Sequence, residues 1–211
     1  MTALTTLRSL VIAQIPLASD PLIDRTLVEV ARDFCEKTRA YRTTQTATVT
    51  ADTLEVTLTP PADGELVDII KSTLDGLPLT KKTHEQLDEI DPEWRTDPQS
   101  SYYITLGDSA NEVLVAPLSS TTYASGLSVR CAWKPALGAT TLDAVIVSKY
   151  SDALIAGALS KLFIIPGESF TDPERSNYYG TVYANARDEA KQAASDGRMK
   201  GVVRKIKYGG Y

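Results

Sequence analysis

Residues 20–58 read DPLIDRTLVEVARDFCEKTRAYRTTQTATVTADTLEVTL, and the change of pattern inside this stretch decides the fold. Up to Arg39, Ile23, Leu27, Val30, Ala31 and Phe34 recur at helical spacing, while Asp24, Arg25, Glu29, Arg32, Asp33 and Glu36 occupy the other face. Asp20 is placed to cap this helix, with Pro21 at the favoured first position. The spacing predicts a one-sided helix over residues 20–39 that must pack on something. After Tyr41 the pattern becomes alternating and rich in Thr and Val, as in Thr46-Ala-Thr-Val-Thr50 and Leu54-Glu-Val-Thr-Leu58. That predicts strand over residues 44–58.

Outward from this boundary, Pro60-Pro61-Ala-Asp-Gly64 and Asp75-Gly76 read as turns around a strand at 66–74. A short helix is expected at Thr83–Ile90, where Thr83 and Gln86 have capping-box spacing. Strands are expected at 102–106, 112–115 and 126–133, with Asp108-Ser-Ala-Asn111 as a turn. Helical patterning returns after Pro135. Residues 146–164 are apolar over much of the circumference, and Ala156-Gly157-Ala158 would admit a close neighbour. Pro166-Gly167 stops that helix. Asp172-Pro173 starts another running to Asp196, with Tyr179, Val182, Tyr183, Ala186, Ala190 and Ala193 along one face. The expected fold is α+β: a helical bundle formed by residues 1–43 plus 136–197, an inserted antiparallel β-sandwich or barrel-like domain at 44–135, and an extended C-terminal arm at 198–211.

The arm is chemically unlike the rest. It carries Arg198, Lys200, Arg204, Lys205 and Lys207 with no acid, a charge of +5 in a chain whose net charge is −5. Residues 1–197 therefore carry −10. Val202, Val203 and Ile206 supply β-branched residues, and Tyr208 and Tyr211 supply aromatic ends. Such a segment cannot bury much of its own surface and suits docking elsewhere, in an acidic protein groove or on a partner's sheet edge. A solvated terminus and a phosphate-binding tail with stacking tyrosines are the competing readings. The acidic body, with a sequence pI near 5.0, argues against a polyanion partner.

At 211 residues the chain is long enough to bury a core without metal or disulfide staples. With 43% hydrophobic and 23% charged residues, its composition is that of a soluble protein. No apolar run approaches the roughly 18–20 residues of a membrane span. The apolar patch from Leu10 to Ile15 follows only Arg8 and lacks a cleavage site, so the start reads as mature protein. Cys35 and Cys131 fall on a predicted helix and a predicted strand and read as small core hydrophobes in a reducing cytosol. Nothing in the sequence fixes their separation, so pairing stays open.

Catalytic chemistry is scarce. His84, the only histidine, sits among Lys81, Lys82 and Glu85 and would need an acid and a nucleophile brought to it by folding. One His and two distant Cys lack zinc-ligand spacing. Glu85, Asp88, Glu89, Asp91, Glu93 and Asp97 lack the alternation and central glycine of a calcium loop and read as a solvated acidic face. There is no Walker loop, no G-x-G-x-x-G and no G-x-S-x-G. The reading is non-enzymatic, with no cofactor and no metal.

Several short runs, taken in order, carry a resemblance. They are Asp20-Pro21-Leu22-Ile23, Ala31-Arg-Asp-Phe34-Cys35-Glu-Lys-Thr38, Leu77-Pro-Leu79, Leu87-Asp88 and Asp91-Pro92-x-Trp94-Arg95. In the C-terminal half they are Ala153-x-x-Ala156-Gly157-Ala158-Leu159, Ile165-Pro166-Gly167, Phe170-x-Asp172-Pro173 and Tyr178-Tyr179. From Ser19 to Ala194 the chain resembles the head-to-tail adaptor (connector) proteins of tailed bacteriophages, which include proteins similar to the tail tubular protein A of short-tailed phages. The resemblance implies a non-enzymatic ring of about a dozen copies in the virion neck, assembled in the host cytoplasm. It implies the portal protein and a tail tube or nozzle protein as partners. Double-stranded DNA would pass through the ring without specific binding, and no membrane is involved. It also implies that the C-terminal arm docks on the portal. Another neck component, such as a stopper or tail-completion protein, stays open beside it, as does a nucleic-acid-binding module using the tail.

Overall fold

The computed structural model describes residues 2–61, 64–96 and 102–195. Its first elements are β1 (Thr2–Ala3) and α1 (Leu4–Ile12), a helix that buries Leu4, Leu7 and Val11. Sequence patterning does not single out α1, which has neither a capping residue nor acids in its first turn. It is followed by α2 (Asp20–Thr38), whose Ile23, Leu27, Val30, Ala31 and Phe34 are all buried as their spacing requires. The start of α2 departs from expectation. Ser19 is the N-cap, and the Asp20 carboxylate accepts a 2.8 Å hydrogen bond from Arg8 on α1 instead of capping. Arg8 also holds Asp24, so α1 is tied to the first turn of α2 by one guanidinium.

The strands follow as β2 (Arg42–Val49), β3 (Glu55–Thr57), β4 (Gly64–Leu74), β5 (Leu77–Pro78) and β6 (Thr80–Lys81). Next come the short helix α3 (His84–Ile90) and then β7 (Tyr103–Leu106), β8 (Glu112–Ala116), β9 (Tyr123–Pro135) and β10 (Thr141–Leu142). One four-stranded sheet has the order β2-β9-β4-β5 and another the order β3-β8-β7-β6, while β1 pairs with β10. Neither large sheet closes on itself, so the barrel-like alternative is set aside. Pairing is antiparallel except between β6 and β7, which run parallel over two residues.

The run expected as one strand over 44–58 is two strands in two sheets. The break comes at residues 50–53, where Asp52 has φ 58° and its N–H reaches the Ser119 carbonyl at 2.8 Å. The switch lets Val49 and Val56 enter the same apolar cluster from different sheets. The Asp75-Gly76 turn has φ of 49° and 82°, the left-handed pair that joins β4 to β5 tightly. In α3, Thr83 and Gln86 complete the capping box reciprocally, as their spacing predicts.

The C-terminal half holds α4 (Ala144–Phe163) and α5 (Pro173–Ser195). Asp143 caps α4, and its helical geometry breaks at Tyr150, whose ring lies 4.9 Å from that of Phe34. Asp172 caps α5 through the N–H groups of Glu174 and Arg175. The face α5 buries matches the expected one at Tyr179, Tyr183, Ala186 and Ala190 and departs from it at Val182 and Ala193. Ser176, Ala190 and Ala194 are buried, with Tyr179, Tyr183 and Ala186 half-buried, while Val182 and Ala193 are exposed. Ser160 and Ser176 exchange hydroxyl-to-carbonyl bonds of 3.0 and 2.8 Å between α4 and α5, which places Ser176 on the buried side. One apolar cluster runs from α1, α2 and α4 through Cys131 and Trp133 of β9 into both large sheets.

Gly157 marks the crossing of three helices. A Cβ there would lie 2.6 Å from Val30 Cγ1 on α2 and 2.9 Å from the Tyr183 ring on α5. A Cβ on Gly138 would meet nothing within 4 Å. Gly157→Ala is expected to cost about 1–3 kcal/mol by overpacking, against its gain in helix propensity. Gly138→Ala is expected to stay within about 0.5 kcal/mol of the parent. Urea unfolding of both variants checks the contrast.

Candidate functional site

The residues assigned to docking, Arg198, Lys200, Val202, Val203, Arg204, Lys205, Ile206, Lys207, Tyr208 and Tyr211, lie outside the described residues. What the structure does describe is the helix that leads to them. Residues of α5 and of the first half of α4 line a groove of about 300 Å³, among them Tyr150, Ala186, Ala190 and Ala193, with Lys149, Asp152 and Glu189 at its rim. Ala193 is two residues from the end of α5, so the chain passes this groove as it leaves the helix.

The attachment of α5 to α2 is polar as well as apolar. The Tyr183 hydroxyl donates to Asp33 Oδ2 at 2.8 Å, and Lys37 Nζ lies 2.6 Å from Oδ1. Burial pushes the Asp33 carboxyl up, yet the hydrogen bonds from Lys37 and Tyr183 outweigh it and hold the group below its ordinary range. Burial and the adjacent Asp33 carboxylate raise the Tyr183 phenol, which therefore stays a donor.

A second set of contacts fastens the helices to the strands. Arg32 on α2 spans both Glu65 oxygens at 2.9 Å and donates to the Pro135 carbonyl at 2.6 Å. Lys134 reaches Glu36 at 2.8 Å. Asp68, nearly buried on β4, holds Arg39 at the end of α2 and Lys81 on β6. The Arg32 hydrogen bonds keep the Glu65 carboxyl below its ordinary range against partial burial. Between the two sheets, Asn111 Oδ1 accepts the Leu66 N–H at 2.8 Å. These partners are separated by 33 to 103 residues in the Arg32 cluster, and no local motif announces them.

The other candidates have structural employment. His84 Nε2 lies 3.0 Å from the Leu106 carbonyl, and the ring sits 6.1 Å from Trp94. Asp88 accepts from Trp94 Nε1 at 2.8 Å and from Arg95 at 2.7 Å. Leu87 and Trp94 pack with Ala116, Leu54, Tyr103 and Leu114 as a second apolar cluster. Cys35 and Cys131 are free thiols, buried in the main core, where burial pushes both up to about 12. The pairing left open by the sequence is not made. Among the described residues, no helix is long and apolar enough to cross a membrane.

The family model described as SU10 adaptor protein matches residues 2–205. No curated protein matches the chain.

The Arg32–Glu65 pair has a pH signature. A folded-state carboxyl held below its unfolded value near 4.5 contributes stability above that value and loses it as pH falls through the lowered one. Glu65 is 35% exposed, so solvent screening limits the pair's worth. Arg32→Gln is expected to cost about 1 kcal/mol near pH 7, with the gap from the parent narrowing below about pH 4.5. Unfolding curves across that range check it; a gap independent of pH would contradict the pairing.

Proposed function

Because the chain belongs to the SU10 adaptor protein family, we propose that it is a structural phage neck protein whose copies form a ring under the portal, bridge it to the tail and continue the DNA channel. The family match over residues 2–205 carries this reading. The helical segments 1–43 and 136–197 serve as the platform, residues 44–135 as the inserted domain, and residues 198–211 as the arm that docks on the portal. The tail tube or nozzle protein takes the opposite side. The role is non-enzymatic, its place is the virion neck, and assembly occurs in the host cytoplasm.

Charge and connectivity support it. The arm's +5 is set against −10 in the rest of the chain, so it seeks an acidic neighbour more readily than it stays extended in water. The hydrogen bond from Tyr183 to Asp33 and the Ser160–Ser176 exchange hold the helix it extends. In a ring, each docked arm makes the next one effectively intramolecular, so modest single contacts suffice. A net-negative body leaves passing double-stranded DNA ungripped.

Deleting Val202–Tyr211 is expected to abolish co-sedimentation with the portal while the thermal unfolding curve stays within a few degrees of the parent. Full portal binding by the truncated chain would overturn the arm's role. Binding of the intact chain to the tail protein but not to the portal would reassign it to another neck component.

A further inference from the structure

We propose that the outer face of the β2-β9-β4-β5 sheet docks on the α3 side of a second copy of this chain. The inference rests on the ring reading above and names the surfaces through which copies touch. In β9, Leu127, Val129, Cys131 and Trp133 point into the main core, so Ser128 and Arg130 point the other way. Strand register sets Thr44, Arg130 and Lys71 in one row across three strands, and Thr46, Ser128 and Thr73 in the next. Thr44, Arg130 and Lys71 of the first row and Ser128 and Thr73 of the second line, with Ser72, a shallow depression of about 200 Å³. Arg130 and Lys71 are exposed and in no ion pair among the described residues. The nearest carboxylate along β4, Asp68, is already held by Arg39 and Lys81. The face is therefore hydroxyl-rich, cationic and without a counter-charge of its own.

The opposite side of the strand region is anionic. In the second sheet Ile104, Val113 and Val115 join the main core, whereas Tyr103, Leu114 and Ala116 face away and are covered by Leu87 of α3 and by Trp94. The layers thus run from the cationic sheet face through the shared core and the second sheet to α3. Glu85, Glu89 and Glu93 are exposed on this outermost layer, with Glu55 exposed on the adjacent edge strand β3. Asp88 there is spent on Arg95 and Trp94.

Two complementary patches on opposite sides cannot satisfy each other within one molecule. A two-fold contact would set like charge against like, which is unfavourable. A head-to-tail contact pairs cation with anion and leaves a free anionic patch on one copy and a free cationic patch on the other, so that further copies add and the series ends in a ring where the rotation closes. Charge complementarity on this geometry selects a second copy over an unrelated partner.

The test compares the full-length parent, Lys71→Glu/Arg130→Glu, Glu85→Lys/Glu89→Lys and an equimolar mixture of the two variants. Sedimentation follows assembly at low and high salt, alone and on the portal. Each double variant is expected to associate at least ~100-fold more weakly than the parent. The mixture is expected to recover assembly, because both of its contacts again join opposite charges. Parent assembly is expected to weaken as salt rises. A parent ring with variants that assemble equally well would overturn this interface and leave the ring reading intact. A mixture of folded variants that fails to recover would also overturn it. A parent that stays monomeric even on the portal would overturn both. If Lys71→Glu/Arg130→Glu instead lost affinity only for a double-stranded oligonucleotide, the face would belong to phosphate, and the proposal would fall.

Discussion

The guanidinium of Arg32 sits between the Glu65 carboxylate and the Pro135 carbonyl, and this fork sets the direction in which the strands leave the helices. Burial of the α2 apolar stripe supplies most of the driving force, but burial is non-directional. A planar fork with three oriented bonds admits one geometry. Glu36 with Lys134 and Asp68 with Arg39 repeat the device farther along the same helix.

On its apolar side, α2 meets the Gly157 crossing, where the missing side chain lets α4 approach and Tyr183 of α5 reach Asp33. The result is a platform whose last helix is pinned near its middle and continues past a groove toward the basic segment. Much of α5 is exposed, with Tyr178 and Val182 open to solvent. For a lone protein that is a poorly used helix. For a subunit with neighbours it is available surface.

What the sequence disclosed and what it withheld divide along physical lines. The apolar periods of α2 and α4, the Thr83–Gln86 capping box, the Asp172-Pro173 start and the close approach at Gly157 depend on residues near one another in the chain, and all were legible. The Asp20 cap was misjudged because Arg8, twelve residues earlier on an unanticipated helix, takes the carboxylate. The buried side of α5 was legible at Tyr179, Tyr183, Ala186 and Ala190 but not at its edges, where Val182 and Ala193 are exposed and Ser176, tied to Ser160, and Ala194 are buried instead. The Thr- and Val-rich run gave strand but not the change of sheet, which depends on Val49 and Val56 sharing a core. The charge opposition between the Arg130–Lys71 face and α3 was visible only in half: the acidic run is contiguous in sequence, whereas its cationic counterpart is assembled by register from two strands.

The most direct measurement is an electron cryomicroscopy map of the neck with the chain in place between portal and tail. The account predicts rotationally repeated copies, each with its first sheet against the α3 layer of the next, and residues 198–211 traced into the portal. A map showing those residues folded onto their own α4–α5 groove, in a particle without rotational symmetry, would contradict it.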